Sequence, residues 1–534
     1  MPGKLIALKT CASRPRESAQ KRSYLDLPAR VPIKSLVGTS PGAASYMALR
    51  FHNTLSGRVE DFVPLEGNKV RMYTCGLTVY DYGHIGNYRT FVFQDILRRY
   101  LKYRGYEVLQ VMNLTDVDDN TIRGAQAAGI PLRDYTQKYI QAFEVDGQLL
   151  NLETPEIVVR ATDHIDDMVK LIQRLEAKGY AYASDGSVYF RVRNFAEYGK
   201  LAQVDLSGIR PGARVDTDKY DKTDVRDFVL WKAAKEGEPF WETPLGLGRP
   251  GWHIECSAMS MKYLGETFDI HSGGIDLTFP HHENEIAQSE AATGKPFVRY
   301  WLHAEHLIVN GEKMSKSLGN FYRLRDLIAQ GHRPSALRYL LASVPYRKPL
   351  NFTFDGLHQA QHSVERLRNF RSRLTMEKFP AGENPELHAR AQAARQAFED
   401  ALDDNLNTAE ALAAIFDLVR DANTAMDRGE FRDADRPVFL EVLERWDRIF
   451  AVLDDNDHAK LRQFGLGKTV EKGITADAEL GEALADEEIE KRLAERDAAR
   501  RRGDFARSDK IRAELLSAGV ILEDTKAGTR WKRK

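Results

Sequence analysis

The spacing of apolar positions changes period several times along the chain, and each change predicts an element. "VRMYTC" (70–75) is a short β-prone run, and a glycine-rich turn follows it. In "RTFVFQDILRRYLKYRGY" (89–106), Phe93, Ile96, Leu97, Tyr100 and Leu101 fall on one helical face. "EVLQVMNLTD" (107–116) is strand-like again and ends in polar residues. Strand, turn, helix and strand make a βαβ unit, which predicts a parallel sheet. Ligands of such sheets bind at the carboxyl ends of the strands, where Cys75 and Thr115 fall.

Residues 47–119 and 251–354 carry this strand–helix alternation. Residues 120–250 read as a connective insert between them, mostly helical and charged. From 355 to 454 the period is helical. There Leu412, Ile415, Phe416 and Val419 make one apolar stripe, and Asn407 and Glu410 form a capping pair. Residues 455–480 are polar and read as a linker. Residues 481–534 read as a small basic module, and the last 44 residues hold fourteen Lys/Arg against seven acids. Such a run is also what a solvated face looks like, but Trp531 offers an indole that can stack on a base.

Composition changes this picture in few places. A chain of 534 residues exceeds what one core supports, so several domains are expected. The net charge of −1 confines any polyanion site to a local patch. Three cysteines (Cys11, Cys75 and Cys256) cannot make a disulfide framework, which fits a reducing cytoplasm. No apolar run is long enough to span a bilayer, so no membrane partner is expected. Residues 1–46 hold eight Lys/Arg and two acids, with no sustained apolar period. They read as a disordered leader, or as sequence upstream of a start at Met47. An organelle transit peptide is the minority alternative.

Two constellations carry chemistry. In "GWHIECSAMSMKYLGETFDIHSGGIDLTFPHHENEIAQSE" (251–290), His281 and Glu285 are four apart and share a face if the stretch is helical. With the thiolates of Cys75 and Cys256 they give a Cys₂HisGlu set suited to zinc. His282 or His271 can replace His281 in that set. A buried cysteine is also often only a small apolar side chain, and a His-x-x-x-Glu pair is common on solvated helices. The second constellation joins "GHIGN" (83–87) to "GEKMSKSLGN" (311–320). The first opens a helix whose N-terminus attracts phosphate. Lys313 and Lys316 in the second can neutralise a polyphosphate.

These strings resemble the class I aminoacyl-tRNA synthetases, and among them the cysteinyl-tRNA synthetase family. The class signatures are "HIGH", here "HIGN" (84–87), and "KMSKS", complete at 313–317. The cysteinyl branch adds strings matched by "CGLTVYD" (75–81), "NLTDVDDN" (113–120), "GWHIECSAM" (251–259), "FPHHENEIAQ" (279–288) and the ending "GVILEDTKAGTRWKRK". The resemblance runs from about Met47 to Lys534. It implies an α/β fold: a Rossmann-like parallel-sheet catalytic domain with an insert, then an α-helical bundle and a small C-terminal module. It implies that Cys75, Cys256, His281 and Glu285 hold one zinc ion, which binds the thiolate of substrate L-cysteine. Thr115, Trp252 and Asp276 would line the cysteine pocket. His84, Gly86, Asn87, Lys313, Ser315 and Lys316 would bind ATP, which arrives with Mg²⁺. Of these, His84, Asn87, Lys313 and Lys316 would stabilise the charge of adenylate formation. The cysteinyl group would then pass to the terminal ribose of tRNA(Cys). Trp531, Asp524 and Arg530 are candidate anticodon contacts, and a monomer is expected.

Two departures stand out. Asn87 replaces the second histidine of "HIGH" and cannot carry charge. Leu77 replaces the usual proline, which loosens the turn after Cys75. Two rival readings follow from the same residues: a cysteine ligase of mycothiol biosynthesis, and a non-catalytic zinc-bearing RNA-binding protein. The bundle and basic tail argue against the first, and the intact "KMSKS" argues against the second.

Overall fold

The structure is a computed structural model that describes residues 48–203, 226–466, 486–502, 504–517, 520–525 and 528–533. The expected leader over 1–46 lies outside the described residues, as does most of the expected linker over 455–480.

The parallel sheet forms as predicted. Its strands are β1 (Lys69–Thr74), β2 (Glu107–Leu114), β3 (Ile157–Arg160), β4 (Phe268–Gly274) and β5 (Val298–Ala304). Their order across the sheet is β5-β4-β1-β2-β3, and every neighbouring pair is parallel. The chain therefore runs from β1 outward to β3, then returns to the other side of β1. This reversal makes β1 and β4 the topological switch point, outside whose carboxyl ends a ligand crevice opens.

Residues 120–250 depart from expectation in two ways. The stretch supplies β3, an edge strand of the catalytic sheet. It also contains a five-stranded antiparallel sheet made of Ala181–Ser184, Ser187–Phe190, Phe228–Ala233, Trp241–Thr243 and Gly246–Pro250. The stretch is thus not mostly helical. Its strands are short and separated by turns, so their period-2 signal is weak beside the charged helices that precede them.

Helix α1 (Ile85–Tyr103) carries the predicted apolar face, and Phe93, Ile96, Leu97, Tyr100 and Leu101 are all buried. Its start is set by a reciprocal cap. His84 Nδ1 accepts from the backbone N–H of Asn87 at 3.2 Å, and Asn87 Oδ1 accepts from that of His84 at 3.1 Å. Helices α2 (Trp252–Leu264) and α3 (Glu283–Thr293) follow, with α2 packed on the strands and on α3. After β5 come α4 (Leu324–Ala329) and α5 (Pro334–Ala342). The bundle consists of α6 (Phe354–Met376), α7 (Pro385–Asp403), α8 (Thr408–Asp427) and α9 (Asp435–Phe450). Asn407 caps α8 as expected by accepting from the N–H of Glu410. Leu412, Ile415 and Val419 are buried on it, and Phe416 is half-buried.

One apolar core runs unbroken from α1 through α5 into the bundle. Arg338 of α5 crosses that core, fully buried. It pairs with Asp95 of α1 at 2.5 Å, and it donates to Phe450 O at the end of α9 and to Leu150 O in the insert. Near the C-terminus, helices Asp486–Arg501 and Phe505–Ser517 share a small core with an antiparallel hairpin, Val520–Thr525 and Gly528–Arg533. The basic tail is therefore the second strand of a hairpin.

Two stability predictions follow. Arg338→Ala leaves the buried Asp95 carboxylate with Arg99 at 2.7 Å but removes its second cation and the donor of several buried carbonyls, so urea unfolding should show a loss of about 1–3 kcal/mol. Asn87→Ala removes one half of the α1 cap, and the same assay should show a loss of about 1 kcal/mol.

Candidate active site

A cleft of about 600 Å³ opens at the switch point. Its lining includes Cys75, Thr115, Trp252, Cys256, Asp276 and His281 toward one end. His84, Gly86, Asn87, Lys313 and Lys316 belong to the same lining. The two constellations are therefore two parts of one cavity. Glu285 is fully buried, and Ser315 lies in the loop that carries the two lysines.

Cys75 directly follows β1, Cys256 lies on α2, and Glu285 lies in the first turn of α3. His281 and His282 stand just ahead of α3, in an irregular helical turn. The Sγ atoms of Cys75 and Cys256 are 4.0 Å apart. Glu285 Oε1 is 3.1 Å from His281 Nε2, and Oε2 is 2.9 Å from His271 Nε2. Donor atoms of Cys75, His281, His282 and Glu285 all lie within 4.8 Å of one another, and Cys256 adjoins them. His282 is nearer to this set than its rank as an alternative suggested, since its Nε2 is 3.4 Å from Cys75 Sγ. His271 braces the carboxylate from behind.

The imidazoles are held in turn. His281 Nδ1 meets His253 Nδ1 at 2.9 Å, and its ring stacks on Trp252 with centroids 4.1 Å apart. His282 Nδ1 meets His303 Nε2 at 2.7 Å. Burial pushes both thiols up from their ordinary range, Cys256 the further of the two. Burial acts to raise Glu285 as well, but the imidazoles of His271 and His281 outweigh it and hold the carboxyl low. Glu285 Oε1 is buried and faces His281 Nε2 as an ion pair, without the alignment of a hydrogen bond. Soft sulfur, imidazole nitrogen and a buried carboxylate oxygen converging on one point form a donor set that fits zinc.

Between the two ends, Thr115 Oγ1 donates to Glu255 Oε2 at 3.0 Å. Glu255 is fully buried, and burial pushes its carboxyl well above the usual range. Asp276 lies in a short helical turn directly after β4.

At the other end the first signature is joined through backbone to the segment that follows the lysine loop. Ile85 N–H donates to Tyr322 O at 3.0 Å, and His84 pairs with Arg323 in an antiparallel bridge. Asn320 staples the lysine loop: its Oδ1 accepts from Ser315 N–H at 2.8 Å and its Nδ2 donates to Lys313 O at 3.2 Å. Burial lowers the His84 pKa to about 4, so the ring is neutral. Because Nδ1 accepts a hydrogen bond, the proton sits on Nε2. Gly86 has a local reason, since a Cβ there would approach the His84 ring to 3.0 Å. Lys316 Nζ and Arg323 both reach Asp81 Oδ2, at 3.2 and 2.8 Å.

In the C-terminal module, the indole N–H of Trp531 donates to Glu490 at 2.6 Å and the ring packs on the small core. Asp524 and Arg530 lie in the two strands of the hairpin, opposite Thr529 and Glu523, and their side chains are outside the described ones.

Sequence reasoning did not single out Glu255, Asp81, Arg323 or His303 as site residues. Glu255 and Asp81 lie inside quoted strings, "GWHIECSAM" and "CGLTVYD", which is the one signal they offered.

Known proteins match 91% of this chain. Residues 61–362 match the family described as tRNA synthetases class I (C) catalytic domain, and residues 397–453 match the DALR domain. A cysteine–tRNA ligase of Koribacter versatilis (strain Ellin345) is 57% identical over 496 residues, covering 91% of this chain and 100% of the relative. One of Solibacter usitatus (strain Ellin6076) is 57% identical over 488 residues, with the same coverage. By fold, the chain is similar to Mycobacterium tuberculosis methionyl-tRNA synthetase in complex with methionyl-adenylate. That likeness has a TM-score of 0.53 at 16% identity and covers 76% of this chain and 94% of the other. On sequence, fold and the convergence of both signatures on one cleft, the chain belongs to the cysteine–tRNA ligases, enzymes of the class I aminoacyl-tRNA synthetase family.

Proposed function

We propose that the two ends of the cleft divide the reaction between them. Cys75, Cys256, His281 and Glu285 would hold one zinc ion, with His282 against Cys75 and His271 orienting the carboxylate. Bound zinc supplies a soft Lewis acid, which favours a deprotonated thiol over a hydroxyl and so selects cysteine against serine. Thr115, Trp252 and Asp276 line the amino-acid part of the pocket. The Thr115 hydroxyl donates to the Glu255 carboxyl and accepts from Asn113 Nδ2 at 3.3 Å, which together fix its orientation at the pocket wall.

The phosphate end receives ATP with Mg²⁺. The carboxylate of L-cysteine attacks the α-phosphate, pyrophosphate leaves, and a hydroxyl of the terminal ribose of tRNA(Cys) takes the cysteinyl group. His84 contributes a neutral Nε2–H donor held in place by its own capping bond. Asn87 uses Oδ1 for the cap, so its amide N–H groups are what it offers to phosphate. In this way an uncharged residue serves where the family has histidine. Lys313 and Lys316 add positive charge from the loop, with Gly86 allowing close backbone approach and Ser315 adding a hydroxyl. Trp531, Asp524 and Arg530 remain the candidates for the anticodon, with Trp531 tied to Glu490. We read the enzyme as a cytoplasmic monomer, in keeping with its buried free thiols at Cys75 and Cys256. The observation that carries this reading is the single cleft that contains both donor sets.

Cysteine-dependent ATP–pyrophosphate exchange, followed by charging of tRNA, tests it. Exchange with cysteine but not serine is expected, and no exchange with cysteine would sink the reading. Cys256→Ser should lose zinc, measured by elemental analysis, and cysteine activation together. A variant that kept stoichiometric zinc and full exchange would refute the ligand assignment.

The His84 pKa of about 4 lies below the ordinary value of 6.5, so the ring stays neutral as pH rises through that value. The pH profile of kcat/KM should therefore show no inflection from His84 between about pH 6 and 8. An inflection there that vanished in His84→Gln would contradict the assignment.

A further inference from the structure

Asp81 is the last residue of "CGLTVYD" and is not used by the proposed chemistry. Its carboxylate is fixed: Oδ1 accepts from the Tyr82 N–H at 2.8 Å, which aims Oδ2 at the lysine loop. Oδ2 holds two cations, Lys316 Nζ at 3.2 Å and the Arg323 guanidinium at 2.8 Å. Arg323 belongs to the backbone bridge with His84, so the carboxylate links the lysine loop to the segment paired with the start of α1. The Lys316 side chain is 61% exposed and the Asp81 side chain 22%. The Lys316–Asp81 pair is therefore solvent-screened and weak, unlike the buried Arg338–Asp95 pair. A weak pair next to a polyphosphate site is readily exchanged. Lys316 Nζ also lies 5.1 Å from the centre of the Phe321 ring, which in turn makes an edge contact with His84. The ammonium is thus held within the phosphate end by a carboxylate and an aromatic face.

We propose that Asp81 is a positioning residue that competes with polyphosphate for Lys316, and so limits how tightly both ATP and pyrophosphate are held. The proposal rests on the reading that Lys316 meets the phosphates. A carboxylate beside that ammonium opposes the approach of a polyanion by its charge and occupies one of the ammonium's donors. Its usefulness lies in turnover: pyrophosphate must leave after adenylate formation, and a returning counter-charge on Lys316 weakens its retention. A purely structural carboxylate would act in the opposite direction, since its removal would loosen the site and weaken substrate binding.

The test is ATP–pyrophosphate exchange by the full-length enzyme, with KM measured separately for ATP and for pyrophosphate. The variants are Asp81→Asn, Lys316→Met and the double substitution. Asp81→Asn should lower both KM values by about two- to five-fold, the scale of an exposed ion pair. In the Lys316→Met background the same substitution should shift them by less than about 1.5-fold, because the partner is gone. Hydrogen exchange of residues 313–320 should quicken in Asp81→Asn, since the loop loses a tether. If Asp81→Asn raises either KM or leaves both unchanged while Lys316→Met slows exchange, the proposal alone is overturned. An equal fall in both backgrounds also overturns it. If Lys316→Met exchanges at the wild-type rate, the phosphate reading itself fails, and this proposal with it.

Discussion

The close packing at the carboxyl end of β1 is the constraint on which the site depends. β1 is the middle strand of the sheet, with β4 on one side and β2 on the other. Immediately beyond it, Gly76 lies so near the β2 backbone that a Cβ would fall 1.8 Å from Asn113 O. A larger residue would push the chain off the sheet edge and move Cys75 away from α2 and α3. Because the chain is pinned there, Cys75 meets Cys256 and His282, and the turn that follows enters α1 through His84. The placement of both ends of the cleft thus comes from one strand terminus, as the switch-point geometry requires.

The two ends solve opposite electrostatic problems. The end proposed for the metal is dry, with thiols, imidazoles and the Glu285 carboxylate all buried, a set that a cation would complement. The end proposed for phosphate is open and carries its positive charge on a loop, since Lys313 and Lys316 are exposed. At that same open end His84 is a neutral ring, kept so by burial. Its capping bond with Asn87 serves the fold and the chemistry together, because the same bond that starts α1 fixes which ring nitrogen bears the proton. Behind the site, Arg338 of α5 pairs with Asp95 of α1 and also donates to Phe450 O of α9, so the part of the chain matched to the DALR domain is joined to the catalytic core through one buried guanidinium.

Features set by short-range sequence were legible. The apolar face of α1, the cap of α8 and the convergence of His281 with Glu285 depend on spacing within a turn or two. The class signatures were legible as strings, and the parallel sheet followed from the βαβ pattern. What was hidden depends on contacts between residues far apart in the chain. Arg338 meets Asp95 across 243 positions, Lys316 meets Asp81 across 235, and His282 meets Cys75 across 207. Glu255 gives no sign of its role in the sequence, because its partner Thr115 lies 140 residues away. The antiparallel sheet of the insert was missed because its strands are short, and β3 because its four residues lie between two charged helices, Leu132–Leu149 and Ile165–Ala177. Asn87 read as a loss of charge from the sequence. Its cap with His84 shows what the side chain does instead.

The central claim is that residues 75–87 join two halves of one site, with the thiol of cysteine at one end and phosphate chemistry at the other. The most direct measurement is a crystal structure of the zinc-loaded enzyme with a non-hydrolysable cysteinyl-adenylate analogue. The account predicts the analogue's sulfur on the metal held by Cys75, Cys256, His281 and Glu285. It also predicts the phosphate-mimicking group within hydrogen-bond distance of His84 Nε2 or Asn87 Nδ2. An analogue whose sulfur lay away from that cluster, or whose phosphate mimic avoided the start of α1, would contradict it.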